Sequence, residues 1–201
     1  MNNLEIIAPL LNFSDHEDKF YFIQIYKRRK DNPEMLRDME VMGNFYIYTE
    51  EQLYTKFPQI KKICDDNNAR AYIRLNRRSD RKIALQALSR LAAMIASDQY
   101  KMRNLYDSIA GEFHSEIDKT WIIDIDYKDF EGRQSILDTI HNAAHKLQID
   151  AKKEPLMHII PTKNGYHLIT RPFNLKMLEP IRLGGTRFDI HKDNPTILYL
   201  P

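Results

Sequence analysis

The segment TWIIDIDY, Thr120–Tyr127, decides how we interpret the second half of the chain. Side chains of a strand point alternately to the two faces of its sheet. We therefore predict that Ile123 and Ile125 face the core, whereas Asp124 and Asp126 share the other face about 7 Å apart. Two carboxylates so placed repel each other, and a divalent cation would relieve that repulsion. The alternative is a solvated sheet face with two aspartates of no special role.

Further elements are predicted on the C-terminal side of this strand. They are a helix over Gln134–Leu147 and strands over Leu156–Ile160, Tyr166–Thr170, Arg187–His191 and Thr196–Leu200. The Asn164-Gly165 pair is a strong signal for a hairpin between the first two of these strands. This order of elements predicts an α+β layer, a largely antiparallel sheet with helices on one face.

Strands and amphipathic helices are also predicted in the N-terminal half. We predict a short helix over Leu4–Leu11, strands over Phe20–Tyr26, Asn44–Tyr48 and Ala71–Asn76, and long helices capped by Thr49 and by Ser79 or Asp80. The change of pattern predicts a small α/β lobe over residues 1–115 and a second lobe over residues 116–201.

The loop Pro161–Gly165 is suited to binding phosphate. Its Thr, Lys, Asn and Gly residues offer backbone N–H groups, a hydroxyl and an ammonium within a short span. His167 follows in the next strand, on the same face as Gly165. The alternative is an ordinary hairpin whose strand histidine bonds to a neighbour.

A third carboxylate, Asp189, follows Phe188 in another predicted strand. Three strand carboxylates, a cationic loop and an imidazole are the groups needed to handle a nucleoside triphosphate on two metal ions. The order of these pieces along the chain is more specific than any one of them.

The composition limits the setting and the partners. Net charge is only +2, so attraction to nucleic acid must come from local clusters such as residues 70–82, with six basic residues and one acidic residue. The single cysteine excludes an internal disulfide and a zinc site built from several thiolates. We see no membrane-spanning run and no signal peptide, and we expect a cytoplasmic protein.

The three motifs Asp124-Ile125-Asp126, Gly165-Tyr166-His167 and Phe188-Asp189 resemble the signature of the archaeo-eukaryotic primase superfamily, which includes primase-polymerases. The resemblance implies an RRM-like catalytic sheet and transfer of nucleotides from a triphosphate to a nucleic-acid 3′ hydroxyl, with Mg²⁺ or Mn²⁺. The pattern extends over much of residues 70–201.

The resemblance also implies a role for individual residues. Asp124, Asp126 and Asp189 would be the catalytic metal ligands. Lys163, Asn164, Gly165 and His167 would bind the nucleotide. Arg74, Arg77 and Arg78, from the basic cluster, would contact single-stranded or primed nucleic acid; the alternative is that this cluster is the solvated start of a helix. Helicase or other replication functions would reside on separate proteins.

The chain departs from the family pattern in ways that keep other functions open. Gly165 stands where the family often has serine, and no zinc-binding cluster is present. One alternative is a non-catalytic module that binds single-stranded nucleic acid. Another is a metal-dependent nuclease that uses the same carboxylates.

Overall fold

The computed structural model describes residues 1–14, 18–100, 103–114, 119–126, 157–172, 174–178 and 188–201. These residues form an α+β fold with antiparallel sheets, as predicted. The helices are α1 (Leu4–Ile7), α2 (Glu50–Asn67), α3 (Asp80–Ala96) and α4 (Leu105–Glu112), with 3-10 turns at Ala8–Leu10 and Leu175–Leu178. The strands are β1 (Lys19–Arg28), β2 (Met39–Ile47), β3 (Arg70–Ile73), β4 (Arg78–Ser79), β5 (Trp121–Asp126), β6 (Met157–Pro161), β7 (Gly165–Thr170), β8 (Asp189–His191) and β9 (Thr196–Tyr199).

The chain divides into two compact units, one of residues 1–117 with 197–201 and one of residues 118–196. This differs from the sequence-based division, which left the C-terminal strand with the second lobe. The reason is a set of hydrogen bonds to the N-terminus. The Asn3 side-chain amide donates to the carbonyl of Ile197 at 2.9 Å, and its backbone N–H donates to Leu198 at 3.0 Å.

The first unit is built on a sheet of order β2-β1-β3-β9, with β4 pairing to β1. Alternation along β1 sends Phe20 and Phe22 to one face, where they form a buried cluster with Ile83 of α3 and Ile109 of α4. Helix α2 lies on the other face, which we infer from Gly43. A Cβ there would lie 3.8 Å from Ile25 Cδ1 and 4.0 Å from a methyl group of α2.

Side-chain caps begin the two long helices where the sequence predicts them. The Thr49 hydroxyl accepts from the Gln52 N–H at 3.1 Å, and the Ser79 hydroxyl accepts from the Lys82 N–H at 3.2 Å. Helix α2 continues through Pro58 as one helix. In α3, Ile83 is buried, whereas Ile95 near the C-terminal end of the helix is 49% exposed.

The second unit contains a four-stranded antiparallel sheet of order β6-β7-β5-β8. The predicted hairpin joins β6 to β7, and the Thr162 N–H donates to the Gly165 carbonyl at 2.9 Å within its turn. The helix predicted over Gln134–Leu147, on which an RRM-like arrangement depends, lies outside the described residues. In the described part of the chain, no helix is both long and apolar enough to cross a bilayer.

Candidate active site

Strand pairing in the second unit brings the three sequence motifs together. In the register of β5 with β7, Asp124 lies opposite His167, and Asp126 lies opposite Gly165. In the register of β5 with β8, Asp124 lies opposite Asp189. Residues directly opposite each other on neighbouring strands project from the same face of the sheet. The central Asp124 therefore has one motif residue on each side.

This face of the sheet keeps its carboxylates accessible to solvent. The Asp124 side chain is 43% exposed, and Asp126 and Asp189 are exposed. Ile123 and Ile125 project to the opposite face and are fully buried, as the alternation predicts. Their burial anchors the strand, so it fixes where the two aspartates emerge.

The carboxylates on this face repel one another. The pKa of Asp124 is raised, mainly by burial and then by the charges of Asp126 and Asp189, while His191 acts in the opposite direction. His191 lies opposite Ile122 in the same strand pairing, so it shares the face with Asp189. Among the described charged groups that act on Asp124, two are carboxylates and one is the His191 imidazole.

His167 is a neutral imidazole with two partners in the second unit. Its Nδ1 lies 2.8 Å from the hydroxyl of Thr196, and its Nε2 lies 3.5 Å from Oδ1 of Asp124. Burial, followed by the charge of His191, lowers its pKa to about 4. We infer that the Thr196 hydroxyl donates to Nδ1, which leaves the Nε2 proton facing the carboxylate.

Glycine at position 165 is required by the packing of two strands. A Cβ on Gly165 would lie 1.9 Å from the carbonyl oxygen of Ile125 and 2.8 Å from Cα of Asp126. Any side chain there would push the end of β5 away. The hydroxyl that the family pattern often supplies at this position therefore has no space, and the turn exposes Lys163 and Asn164 instead.

The basic cluster over residues 70–82 belongs to the first unit, and three of its six basic side chains are buried. Arg78 is fully buried, and it donates to the carbonyl of Ala110 at 2.7 Å and to that of Asn76. Arg77 is only 5% exposed. The burial of these two side chains argues against the expectation that they contact nucleic acid, which stays a prediction. Arg74 remains partly exposed.

Sequence reasoning missed one member of the site and left another without a role. The contact of the Thr196 hydroxyl with His167 could not be predicted, because no local sequence pattern relates positions 29 residues apart. His191 has the alternation signal, since it follows Asp189 by two positions, and the structure couples it to Asp124. The lone Cys64 is buried.

The donor set suits a hard divalent cation in its chemistry. Carboxylate oxygens are the ligands that Mg²⁺ and Mn²⁺ prefer, and mutual repulsion at Asp124 is what such a cation would relieve. Among the described residues, no group of three His, Cys, Asp or Glu side chains is arranged to hold a metal ion as it stands. Coordination would therefore need rotation of the exposed aspartate side chains.

Comparison with protein-family models, with curated proteins and with solved structures finds no match for this chain.

Proposed function

We propose that this protein is a primase-polymerase-like nucleotidyltransferase. It would transfer nucleotides from a nucleoside triphosphate to the 3′ hydroxyl of a single-stranded or primed nucleic acid. The observation that carries the proposal is the pairing of Asp124 with both His167 and Asp189. Three segments far apart in sequence thus supply carboxylates and an imidazole to one accessible sheet face.

Asp124, Asp126 and Asp189 are the residues that would hold Mg²⁺ or Mn²⁺. A bound cation would neutralise the carboxylates and polarise the phosphate oxygens of the nucleotide. The raised pKa of Asp124 supports this role, because burial and then the neighbouring carboxylates destabilise its anion, and a bound cation would offset both effects.

The hairpin turn beside the carboxylates would receive the triphosphate. Gly165 lies opposite Asp126, so the exposed Lys163 and Asn164 belong to the turn that adjoins the carboxylate end of β5. An ammonium and an amide there suit phosphate oxygens. His167, kept neutral by burial, would contribute an Nε2–H donor rather than a charge.

In the reaction, the 3′ oxygen attacks the α-phosphorus of the nucleotide. A phosphorus–oxygen bond forms, the bond to the β-phosphate breaks, and pyrophosphate leaves with its electron pair. The proton of the hydroxyl passes to solvent or to a carboxylate of the site. We also propose that the protein acts in the cytoplasm, with helicase or other replication functions on separate proteins.

A primer-extension assay with Mn²⁺ or Mg²⁺, a labelled primed template and nucleoside triphosphates tests the proposal. The wild type should lengthen the primer, and Asp124→Asn should lower the rate at least about 100-fold, as loss of a central electrostatic group does. Asp66→Asn, which removes an exposed carboxylate from α2, is the matched control and should be as active as the wild type.

Two further results, the first from this assay and the second from calorimetry with a triphosphate and a divalent metal, would identify the competing functions. Degradation of the primer without added nucleotides, lost in Asp124→Asn, would indicate a nuclease. Binding of single strands without metal-dependent affinity for a triphosphate would indicate a non-catalytic module. Either result would overturn the transferase proposal.

A further inference from the structure

Helices α3 and α4 cover one end of one face of the sheet in the first unit. The other end of that face presents tyrosine and arginine side chains. Phe20 and Phe22 lie under these helices. Because side chains alternate along β1, Gln24, Tyr26 and Arg28 continue the same face beyond them. Along this strand the face changes from a buried aromatic core, through the buried Gln24, to the partly exposed Tyr26 and Arg28.

Strand β3 and the residue that follows it add a second tyrosine and a second arginine to this surface. Tyr72 lies opposite Gln24, and the Arg74 N–H donates to Phe22 at 3.0 Å, which places Arg74 on the same face. The rings of Tyr26 and Tyr72 lie 5.8 Å apart between centroids, tilted by 56°. Arg28 donates to the Tyr72 hydroxyl at 3.0 Å.

On the other side of β1, an irregularity in strand pairing extends the surface with apolar side chains. The register of β1 with β2 shifts between Ile25 and Tyr26, so Val41 lies opposite Tyr26 and Met39 lies opposite Arg28. Val41 is 50% exposed and Met39 is 52% exposed. Without this shift, the alternation would send both side chains to the face of α2.

Arginine side chains are part of this surface. Arg70 also lies on this face, opposite Tyr26, and it forms an ion pair with Asp31 at 2.6 Å, with both side chains more than nine-tenths buried. That pair neutralises the nearby acid. Two further guanidinium groups lie beside the rings: Arg28 donates to the Tyr72 hydroxyl, and the charge of Arg74 acts on Tyr26.

We propose that this tyrosine–arginine face (Tyr26, Arg28, Tyr72 and Arg74) binds single-stranded nucleic acid. Unpaired bases would stack on the tyrosine rings and against Val41, and the guanidinium groups would contact the phosphates. A single strand fits better than a duplex, because only unpaired bases offer their flat faces to a sheet surface. The role of the bound strand as a template rests on the proposed function. The binding of the strand to this face does not.

Fluorescence anisotropy of a labelled single-stranded oligonucleotide of about 16 nucleotides, with EDTA and no triphosphate, tests the stacking part. Tyr72→Ala should weaken binding about tenfold or more, since one stacked base contributes about 1–3 kcal/mol. Tyr72→Phe keeps the ring and should bind nearly as the wild type does. Tyr54→Ala removes an exposed tyrosine from α2 and is the matched control.

The salt dependence of oligonucleotide binding tests the phosphate contact. This test remains valid even if the Tyr72→Ala variant does not fold. Arg28→Gln should reduce the slope of log affinity against log salt by about 0.7, the value for one phosphate contact on a single strand. Lys62→Gln removes an exposed cation from α2, on the opposite face of the sheet, and should leave the slope unchanged.

Three results would overturn the inference. They are failure of the wild type to bind the oligonucleotide, equal binding by Tyr72→Ala and Tyr54→Ala, and a dimer in sedimentation that Tyr72→Ala dissociates while oligonucleotide binding is unchanged. The last would make the face a contact between two copies of the chain. Failure of the transferase proposal looks different, because primer extension would then be absent while binding still depends on Tyr72.

Discussion

Asp124 lies directly opposite Asp189 in the antiparallel pairing of β5 with β8. Two carboxylates in this position repel each other, and the repulsion contributes to the raised pKa of Asp124. Asp189→Asn keeps the shape and removes one of the charges. We expect the Mn²⁺ affinity measured by calorimetry to fall about tenfold or more, as for loss of a charged metal ligand, while the thermal midpoint stays the same or rises. Unchanged Mn²⁺ affinity would contradict the assignment of Asp189 as a ligand, and Asp66→Asn is the control.

The burial of His167 makes stability depend on pH. Its pKa is about 4 in the folded chain, below the ordinary value of 6.5, so the unfolded chain takes up a proton first as pH falls. Stability is therefore complete above pH 6.5 and decreases towards pH 4, by up to about 3 kcal/mol at about 1.4 kcal/mol for each pKa unit. His167→Gln should flatten this part of the curve of unfolding free energy against pH.

The exposed His158 provides the comparison for that measurement. His158→Gln should retain the slope of the wild type between pH 6.5 and pH 4, the two pKa values of His167. If His167→Gln and His158→Gln have the same slope, then burial of His167 is not the cause of the acid sensitivity.

Gly165 permits a close approach that no other residue allows. Gly165→Ala should destabilise the protein by about 1–3 kcal/mol, the usual effect of overpacking, because the new methyl group meets the backbone of Ile125 and Asp126. The same change should lower primer extension by displacing Asp126. Chemical denaturation measures the first effect.

Gly111→Ala is the matched control for this glycine. Gly111 lies in α4, and a Cβ there would be 3.9 Å from its nearest neighbour, Arg74. Alanine should therefore be neutral or stabilise the helix by about 0.5–1 kcal/mol. Equal destabilisation by the two substitutions would show that the contact at Gly165 is not the cause.

Arg78 is a structural residue in the first unit. Arg78→Met should destabilise the protein by about 3 kcal/mol, since it leaves the carbonyls of Ala110 and Asn76 without a buried donor. The neighbouring Arg81 is exposed, and Arg81→Met should change stability by less than about 0.5 kcal/mol. If Arg78→Met is as stable as the wild type but binds nucleic acid more weakly, then Arg78 acts at the surface after all.

Cys64 is protected from thiol reagents by the fold. Burial, with the charge of Asp65, raises the pKa of its thiol to about 12, so the reactive thiolate is scarce at neutral pH. An aromatic disulfide reagent should react with the native protein orders of magnitude more slowly than with protein in concentrated guanidinium chloride. Rapid, complete labelling of the native protein would show that α2 opens readily or that the thiol is accessible.

Local sequence determined the elements that carry the site, because the signals for them lie within a few residues. Alternation in residues 120–127 predicts which side chains of β5 are buried, and Ile123 and Ile125 are buried as expected. Thr49 and Ser79 predict the starts of α2 and α3, since a cap acts on N–H groups of the next turn. Asn164-Gly165 predicts the turn of the β6–β7 hairpin for the same local reason.

Only the tertiary structure decided which of these elements became neighbours and which charges became buried. The position of β8 beside β5, the contact of Thr196 with His167 and the burial of Arg78 each join residues that are far apart in sequence. Pairing between distant strands depends on the closure of long loops and on the packing of whole sheets, so no short pattern encodes it. The basic residues 70–82 illustrate the limit, because the sequence shows that a residue is charged but not whether its side chain is buried in the fold or exposed at the surface.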